Sequence, residues 1–178
     1  MQSAQTLDAN TPTRAGTPPP LDQLSDVLPC NALRGCPPVV SRWELEQKLI
    51  VGGFHYEHGA THLSPDLCTE TRHYLLVRPL AGQPTRAQAT YERGLCTALT
   101  LHFDTLCAQD ALALYHTLVE SFSRALSPLT PLVFATDPSQ PPQSHSWSIP
   151  RCKQSAKRSL LCLFLDPAST CVQVRLTC

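Results

Sequence analysis

The sequence lacks the short motifs that identify most enzymes and nucleotide-binding proteins. It has no Gly-rich phosphate-binding loop, no Gly-x-Ser-x-Gly nucleophile motif, no paired acidic motif and no dinucleotide fingerprint. No Cys-x-x-Cys pair occurs, although the chain contains nine cysteines. These absences favour a non-enzymatic role over the common catalytic classes.

The sequence also lacks features of membrane, nucleic-acid-binding and exported proteins. No run approaches the roughly 20 apolar residues that a membrane-spanning helix needs. The formal net charge is zero, so no broad electrostatic attraction to nucleic acid is expected. Residues 1–10 show no basic and apolar segments of a secretory signal. We therefore expect free thiols and an intracellular location, in the cytoplasm, the nucleus or both.

The first part of the chain is rich in proline, threonine and other small polar residues. This composition predicts a disordered arm over residues 1–38 and a folded domain over residues 39–178. Within the arm, Leu21, Leu24 and Leu28 recur at helical spacing. Such an apolar stripe can dock into a groove of a partner protein, or it can pack back on its own domain.

A strand followed by a long helix forms the strongest pattern in the chain. Apolar and small residues alternate over 95–103, which predicts a half-buried strand. The residues expected on its buried face are Leu95, Thr97, Leu99, Leu101 and Phe103. Asp104 and Thr105 are candidate N-caps for a helix over 108–126. Its apolar stripe contains Ala111, Tyr115, Leu118, Phe122 and Ala125, widened by Leu112, Val119 and Leu126.

A second, shorter helix is predicted over 41–51. Ser41 and Glu44 have the spacing of a capping box, and the Gly52-Gly53 pair ends the helix. The apolar residues expected to share its buried side are Trp43, Leu49 and Ile50.

These elements predict an α+β fold with one mostly antiparallel sheet and both helices packed on it. Further strands are predicted at 72–78, 132–135, 146–149, 160–165 and 171–178, with a connection at 81–89. The strand at 95–103 is expected to lie antiparallel to the one at 72–78. The order helix, two strands, helix, three strands resembles that of profilin-like and roadblock-type domains, which often serve as dimerising or adaptor subunits.

A histidine-rich segment is the strongest candidate for a metal site. His55, His58 and His62 are followed closely by Cys68. Neutral imidazole and thiolate are zinc ligands, and four of them complete a tetrahedral site. The spacing matches no standard zinc module, so the alternative is a polar loop with solvated histidines.

Two functions are compatible with these sequence features. The first is a non-enzymatic interaction or regulatory subunit, of adaptor or viral accessory type, that binds a protein partner or forms a homodimer without a cofactor. The second is a metal-dependent or acid–base enzyme centred on the segment from His55 to His62, with zinc as the metal. Nucleic-acid binding through the basic group at 151–158 is disfavoured by the neutral overall charge.

Overall fold

A computed structural model describes most of the chain from Val40 onward. The described residues are 40–57, 61–65, 68–77, 79–80, 83–126, 143–150, 158–166 and 170–177. The predicted arm at 1–38, with Leu21, Leu24 and Leu28, and the predicted strand at 132–135 lie outside them.

Two helices and eight strands make up the described part of the chain. The helices are α1 (Arg42–Val51) and α2 (Ala108–Ala125). The strands are β1 (Phe54–Tyr56), β2 (His62–Leu63), β3 (Thr69–Leu76), β4 (Thr85–Glu92), β5 (Leu95–Asp104), β6 (Gln143–Pro150), β7 (Arg158–Asp166) and β8 (Cys171–Thr177).

All eight strands belong to one sheet, and every pairing between them is antiparallel. The order across the sheet is β1-β3-β4-β5-β8-β7-β6, and β2 pairs with β3. Both helices bury apolar side chains in one core cluster on the same face of the sheet. The predicted α+β class, with one antiparallel sheet and two helices packed on it, is therefore confirmed.

Strand β4 was not predicted from the sequence, and its presence changes which strands are neighbours in the sheet. The segment predicted as a connection contains most of this strand, in which buried Thr85, Ala87, Ala89 and Tyr91 alternate with outward-facing residues. The buried positions are mostly small, so the alternation carries a weak hydrophobic signal. Because β4 lies between β3 and β5, the expected pairing of 95–103 with 72–78 is wrong. The order on which the profilin and roadblock comparison rested also lacks β1, β2 and β4.

Strand β5 contains a β-bulge near its start. Before the bulge, the residues that face the core are the ones that the simple alternation would place outside. Thr90 lies opposite Ala98, but Tyr91 lies opposite Cys96, so Thr97 is the extra residue. Leu99, Leu101 and Phe103 are buried in the core as predicted. Before the bulge the prediction is wrong: Cys96 is in the core, whereas Leu95 is 44% exposed.

Helix α2 covers the β7–β8 side of the sheet with one apolar stripe. Its buried residues are Ala111, Leu114, Tyr115, Leu118 and Phe122, which confirms most of the predicted stripe. Leu112 instead points away from the core. The predicted N-caps Asp104 and Thr105 are wrong, because the N-cap is Cys107, whose sulfur accepts the Asp110 amide. Asp104 instead bonds to Arg86, and the Thr105 hydroxyl donates to the Thr170 carbonyl.

Helix α1 begins and ends where the sequence predicts. Ser41 and Glu44 form the expected capping box, and Gly52 is the C-cap. The predicted buried side is wrong in two positions, because Leu45 and Leu49 face the core whereas Trp43 and Ile50 face solvent. Apolar residues occur around the whole helix, so its periodicity alone does not select the face that packs.

A network of charged side chains fastens α1 to β3. The Arg72 guanidinium donates to Glu46 of α1 at 2.7 Å and to Glu70 at 2.6 Å. Arg42 donates to the same Glu70 carboxylate at 3.1 Å, and the Tyr74 hydroxyl donates to Glu46 at 3.3 Å. Arg72, Glu46 and Glu70 are each about one-fifth exposed, so water screens these contacts only in part.

We expect the substitution Arg72→Met to lower the free energy of unfolding by about 2 kcal/mol, because it removes the guanidinium donor of Glu46 and leaves Glu70 with Arg42 alone. The exposed Arg86–Asp104 pair is a matched control. Arg86→Met should cost less than about 1 kcal/mol, since exposed ion pairs contribute little. Urea unfolding at pH 7 measures both losses, and equal losses would contradict the anchoring role of Arg72.

Candidate functional site

The outer side of α1 carries an exposed apolar surface. Trp43 is 69% exposed, Ile50 56% and Val51 87%. Val77, which follows β3, is 69% exposed. Trp43, Ile50 and Val51 are called the α1 ridge below. Large apolar groups in one exposed surface favour an interaction site over a solvated one.

The fold holds the α1 ridge outward in a fixed orientation. Leu45 and Leu49 are fully buried and fix the inner side of the helix, so Trp43 and Ile50, seven residues apart, point away from the core. The Val77 amide donates to the Gly53 carbonyl at 3.3 Å, which places Val77 beside the end of the helix. Gly53 makes this turn with a positive φ of 88°.

The sheet face opposite the helices carries a group of histidines near the β3 edge. His55 and His62 lie opposite Leu75 and Thr71 of β3, so both share the outward face of His73. The rings of His62 and His73 meet edge to face, with centroids 5.9 Å apart. His102 of β5 lies two strands further in, opposite Arg86.

A shallow depression of about 190 Å³ lies among these outward-facing side chains. It is lined by Glu57, His73, Tyr74, Arg86, Ala87, Gln88 and His102. Drug-sized ligands occupy pockets of about 300–1,000 Å³, so this depression suits a single side chain or a small ion.

The electrostatics of the depression limit its affinity for anions. Asp104 engages the Arg86 guanidinium through two bonds of 2.9 Å, in which Nε donates to Oδ2 and Nη2 donates to Oδ1. Burial lowers the pKa of His102, and the neighbouring Arg86 and His73 lower it further. His102 is therefore neutral at pH 7. One of its ring nitrogens can donate a hydrogen bond, and the other can accept one.

The predicted zinc ligands are not all brought together. His55 and His62 lie opposite positions four residues apart on β3, which separates their backbones by about 13 Å. His58 lies outside the described residues, and Cys68 is half-buried just before β3. Among the residues that the structure describes, no three His, Cys, Asp or Glu side chains form a group that could hold a metal ion. The zinc site remains a prediction without support from this geometry.

A separate tyrosine–histidine pair connects α2 to the edge strand β6. The Tyr115 hydroxyl lies 2.6 Å from His145 Nδ1. Burial raises the pKa of Tyr115 to about 12, whereas burial and the nearby His116 lower the pKa of His145. The imidazole tautomer decides which of the two groups donates the hydrogen bond. The His145 ring also stacks on Trp147 at a centroid distance of 6.1 Å.

Sequence reasoning missed most of the residues that these surfaces use. Arg86 and Gln88 lie in a segment predicted as a connection, and recognising β4 would have placed them on the outward face. His73 was part of a predicted strand, but no contact with another histidine was predicted for it. No local signal pairs Tyr115 with His145, because thirty residues separate them.

Comparisons with protein-family models, with curated proteins and with solved structures gave no match to this chain. Neither helix in the described part of the chain has the length and hydropathy to cross a membrane.

Acidification should destabilise the fold through His102 and His145. Both have a folded pKa below the ordinary value of 6.5, so the unfolded chain binds more protons as the pH falls through that value. We expect the contribution of these two histidines to the free energy of unfolding to be constant above about pH 7 and to decrease from about pH 6.5 downward. Urea unfolding at half-unit pH steps measures this.

Matched substitutions assign the effect to these two residues. His102→Gln with His145→Gln should flatten the decrease below pH 6.5, whereas Gln88→Asn on the same sheet face as His102, which removes no titratable group, should leave it unchanged. The lowered pKa of Glu70, held down by Arg72 and Arg42 against the effect of burial, adds a loss only below about pH 4.5. An unchanged slope in the double variant would contradict the assignment.

Proposed function

We propose that this chain is a non-enzymatic interaction or regulatory subunit that binds a protein partner through the α1 ridge. The observation that carries the proposal is the outward exposure of Trp43 and Ile50 on a helix that is capped at both ends and anchored by Arg72. Because α1 is held in a fixed orientation, Trp43 and Ile50 lose little conformational freedom when a partner binds. A reducing compartment, cytoplasm or nucleus, is part of the proposal and is supported by the scattered cysteines.

The chemistry of the ridge favours an apolar groove as the partner surface. Tryptophan is strongly enriched among the residues that dominate binding energy. Helix α1 has ten residues, so the ridge is about 15 Å long and matches the helix-in-groove mode of recognition. Gln47 lies between Trp43 and Ile50 on the same side and can bond to the rim of such a groove.

The ridge is tested by substitutions that keep the fold. Trp43→Asp with Ile50→Asp should weaken binding at least about thirtyfold, since hot-spot residues contribute about 2 kcal/mol or more. Partners would first be identified by quantitative mass spectrometry of complexes from native cells. Each purified partner would then be titrated against the wild-type chain and the double variant by calorimetry.

Leu106→Asp is the matched control, because Leu106 is a 94% exposed leucine outside the ridge. It should bind partners like the wild-type chain, and thermal melting should show that all variants remain folded. A purified stoichiometric partner that binds the double variant and the wild type equally would place the interface elsewhere. The absence of any partner that binds directly would remove the adaptor function.

The outward histidines favour a second candidate, acid–base or metal-dependent chemistry on the open sheet face. Two imidazoles and the Glu57 carboxylate line the same depression, and His62 contacts His73 at its edge. Neutral histidines at physiological pH can transfer protons or bind zinc.

Zinc binding distinguishes the two places where such chemistry could occur. Zinc chloride would be titrated into the full chain, into His58→Ala with His62→Ala, and into His73→Ala with His102→Ala. Stoichiometric binding lost only in the first pair would support the site predicted from the sequence, whereas loss only in the second pair would support the depression. His116→Ala on α2 is the control, and a chain that binds no zinc would remove the metal-dependent form of this candidate.

A further inference from the structure

We propose that the leucine stripe of residues 21–28 docks on the α1 ridge of the same molecule and competes there with the partner. The inference rests on the proposed function, because it assigns a regulator to the same surface. It concerns a named segment, Leu21, Leu24 and Leu28, that lies outside the described residues.

The position at which the arm joins the domain supports docking within one molecule. Val40 is 4% exposed, and its carbonyl accepts the Cys96 amide at 2.9 Å, so the end of the arm is fixed to β5. Trp43 follows only three residues later and begins the ridge. Any segment close upstream of Val40 is therefore tethered next to this surface.

The length of the tether permits the contact. Eleven residues lie between Leu28 and Val40, and the twelve extended steps that join these two residues span up to about 40 Å. The whole ridge is only about 15 Å long. A short tether produces an effective concentration in the millimolar range, so an apolar contact with a Kd below about 1 mM would be occupied.

The spacing of the apolar groups also fits. Leu21 and Leu28 are seven residues apart, as are Trp43 and Ile50, and Leu24 completes a stripe on one helical face. Two such stripes can pack along their lengths as neighbouring helices do. A second copy is a weaker occupant, because a ten-residue helix offers much less than the roughly 800 Å² per partner of a stable interface.

The sequence provides two pairs of reporters for this contact. The chain has two tryptophans and two isoleucines. Trp43 and Ile50 lie on the ridge, whereas Trp147 and Ile149 are fully buried in the core. Acrylamide quenching of tryptophan fluorescence and the methyl spectrum of isoleucine-labelled protein therefore each contain one ridge signal and one internal control.

The test compares the full chain with the variant Leu21→Asp, Leu24→Asp and Leu28→Asp. We expect the triple variant to raise the quenching constant of Trp43 severalfold and to shift the Ile50 methyl signal, while the Ile149 signal stays in place. Leu7→Asp with Leu33→Asp, which changes arm leucines outside the stripe, should reproduce the wild-type values. The wild-type values should be independent of protein concentration, and sedimentation should give a monomer.

Three results would overturn the proposal. Equal quenching of Trp43 in the full chain and the triple variant would show that the stripe does not cover the ridge. Protection that disappears on dilution together with a dimer would assign the ridge to a second copy. A partner that binds both chains with equal affinity would show that the stripe does not compete, and this outcome leaves the proposed function standing.

A failure of the proposed function gives a different pattern. In that case the stripe protects Trp43 from quenching, but no purified partner binds more weakly to the variant Trp43→Asp with Ile50→Asp than to the wild-type chain. The arm contact would then be supported as a structural contact, and its competitive role would be overturned.

Discussion

Burial of the sheet face that packs against the two helices is the constraint on which the rest of this structure depends. The two helices that cover this face are unequal. Helix α2 has eighteen residues and covers the β7–β8 side with a continuous apolar stripe, whereas α1 has ten residues and inserts two leucines. Two leucines are a small contribution to a core, so the charged contacts of Arg72 and the capping box supplement them. The fixed orientation of α1 follows from this combination.

The same constraint explains which predictions were correct. The helix over residues 108–126 and the part of the strand from Leu99 to Phe103 were predictable because their apolar residues are large, regularly spaced and packed in one core. Strand β4 was not, because small Ala87 and Ala89 fill its buried positions under the core side chains. The bulge at Thr97 could not be predicted for another reason. A register shift depends on the neighbouring strand, and the sequence of β5 alone does not indicate it.

The candidate sites were less predictable than the fold. The sequence marks Trp43 as apolar, and only the packing of Leu45 and Leu49 decides that it faces solvent. The histidines were predicted as one cluster because they are close in sequence, yet the sheet separates His55 from His62 and brings His73 and His102 to the same face. Proximity along an extended chain is a poor guide to proximity across a sheet, because residues a few positions apart on one strand are further apart than neighbours on adjacent strands.

The position of β8 in the sheet has a consequence for how the protein is made. Strands β1 to β5 form one antiparallel block, β6 and β7 form a hairpin, and β8 pairs with β5 on one side and β7 on the other. During synthesis the inner edges of β5 and β7 therefore stay open until residues near Thr177 have emerged. Open apolar edges attract other chains, so this architecture makes the nascent protein dependent on rapid insertion of β8 or on chaperone shielding until β8 has paired.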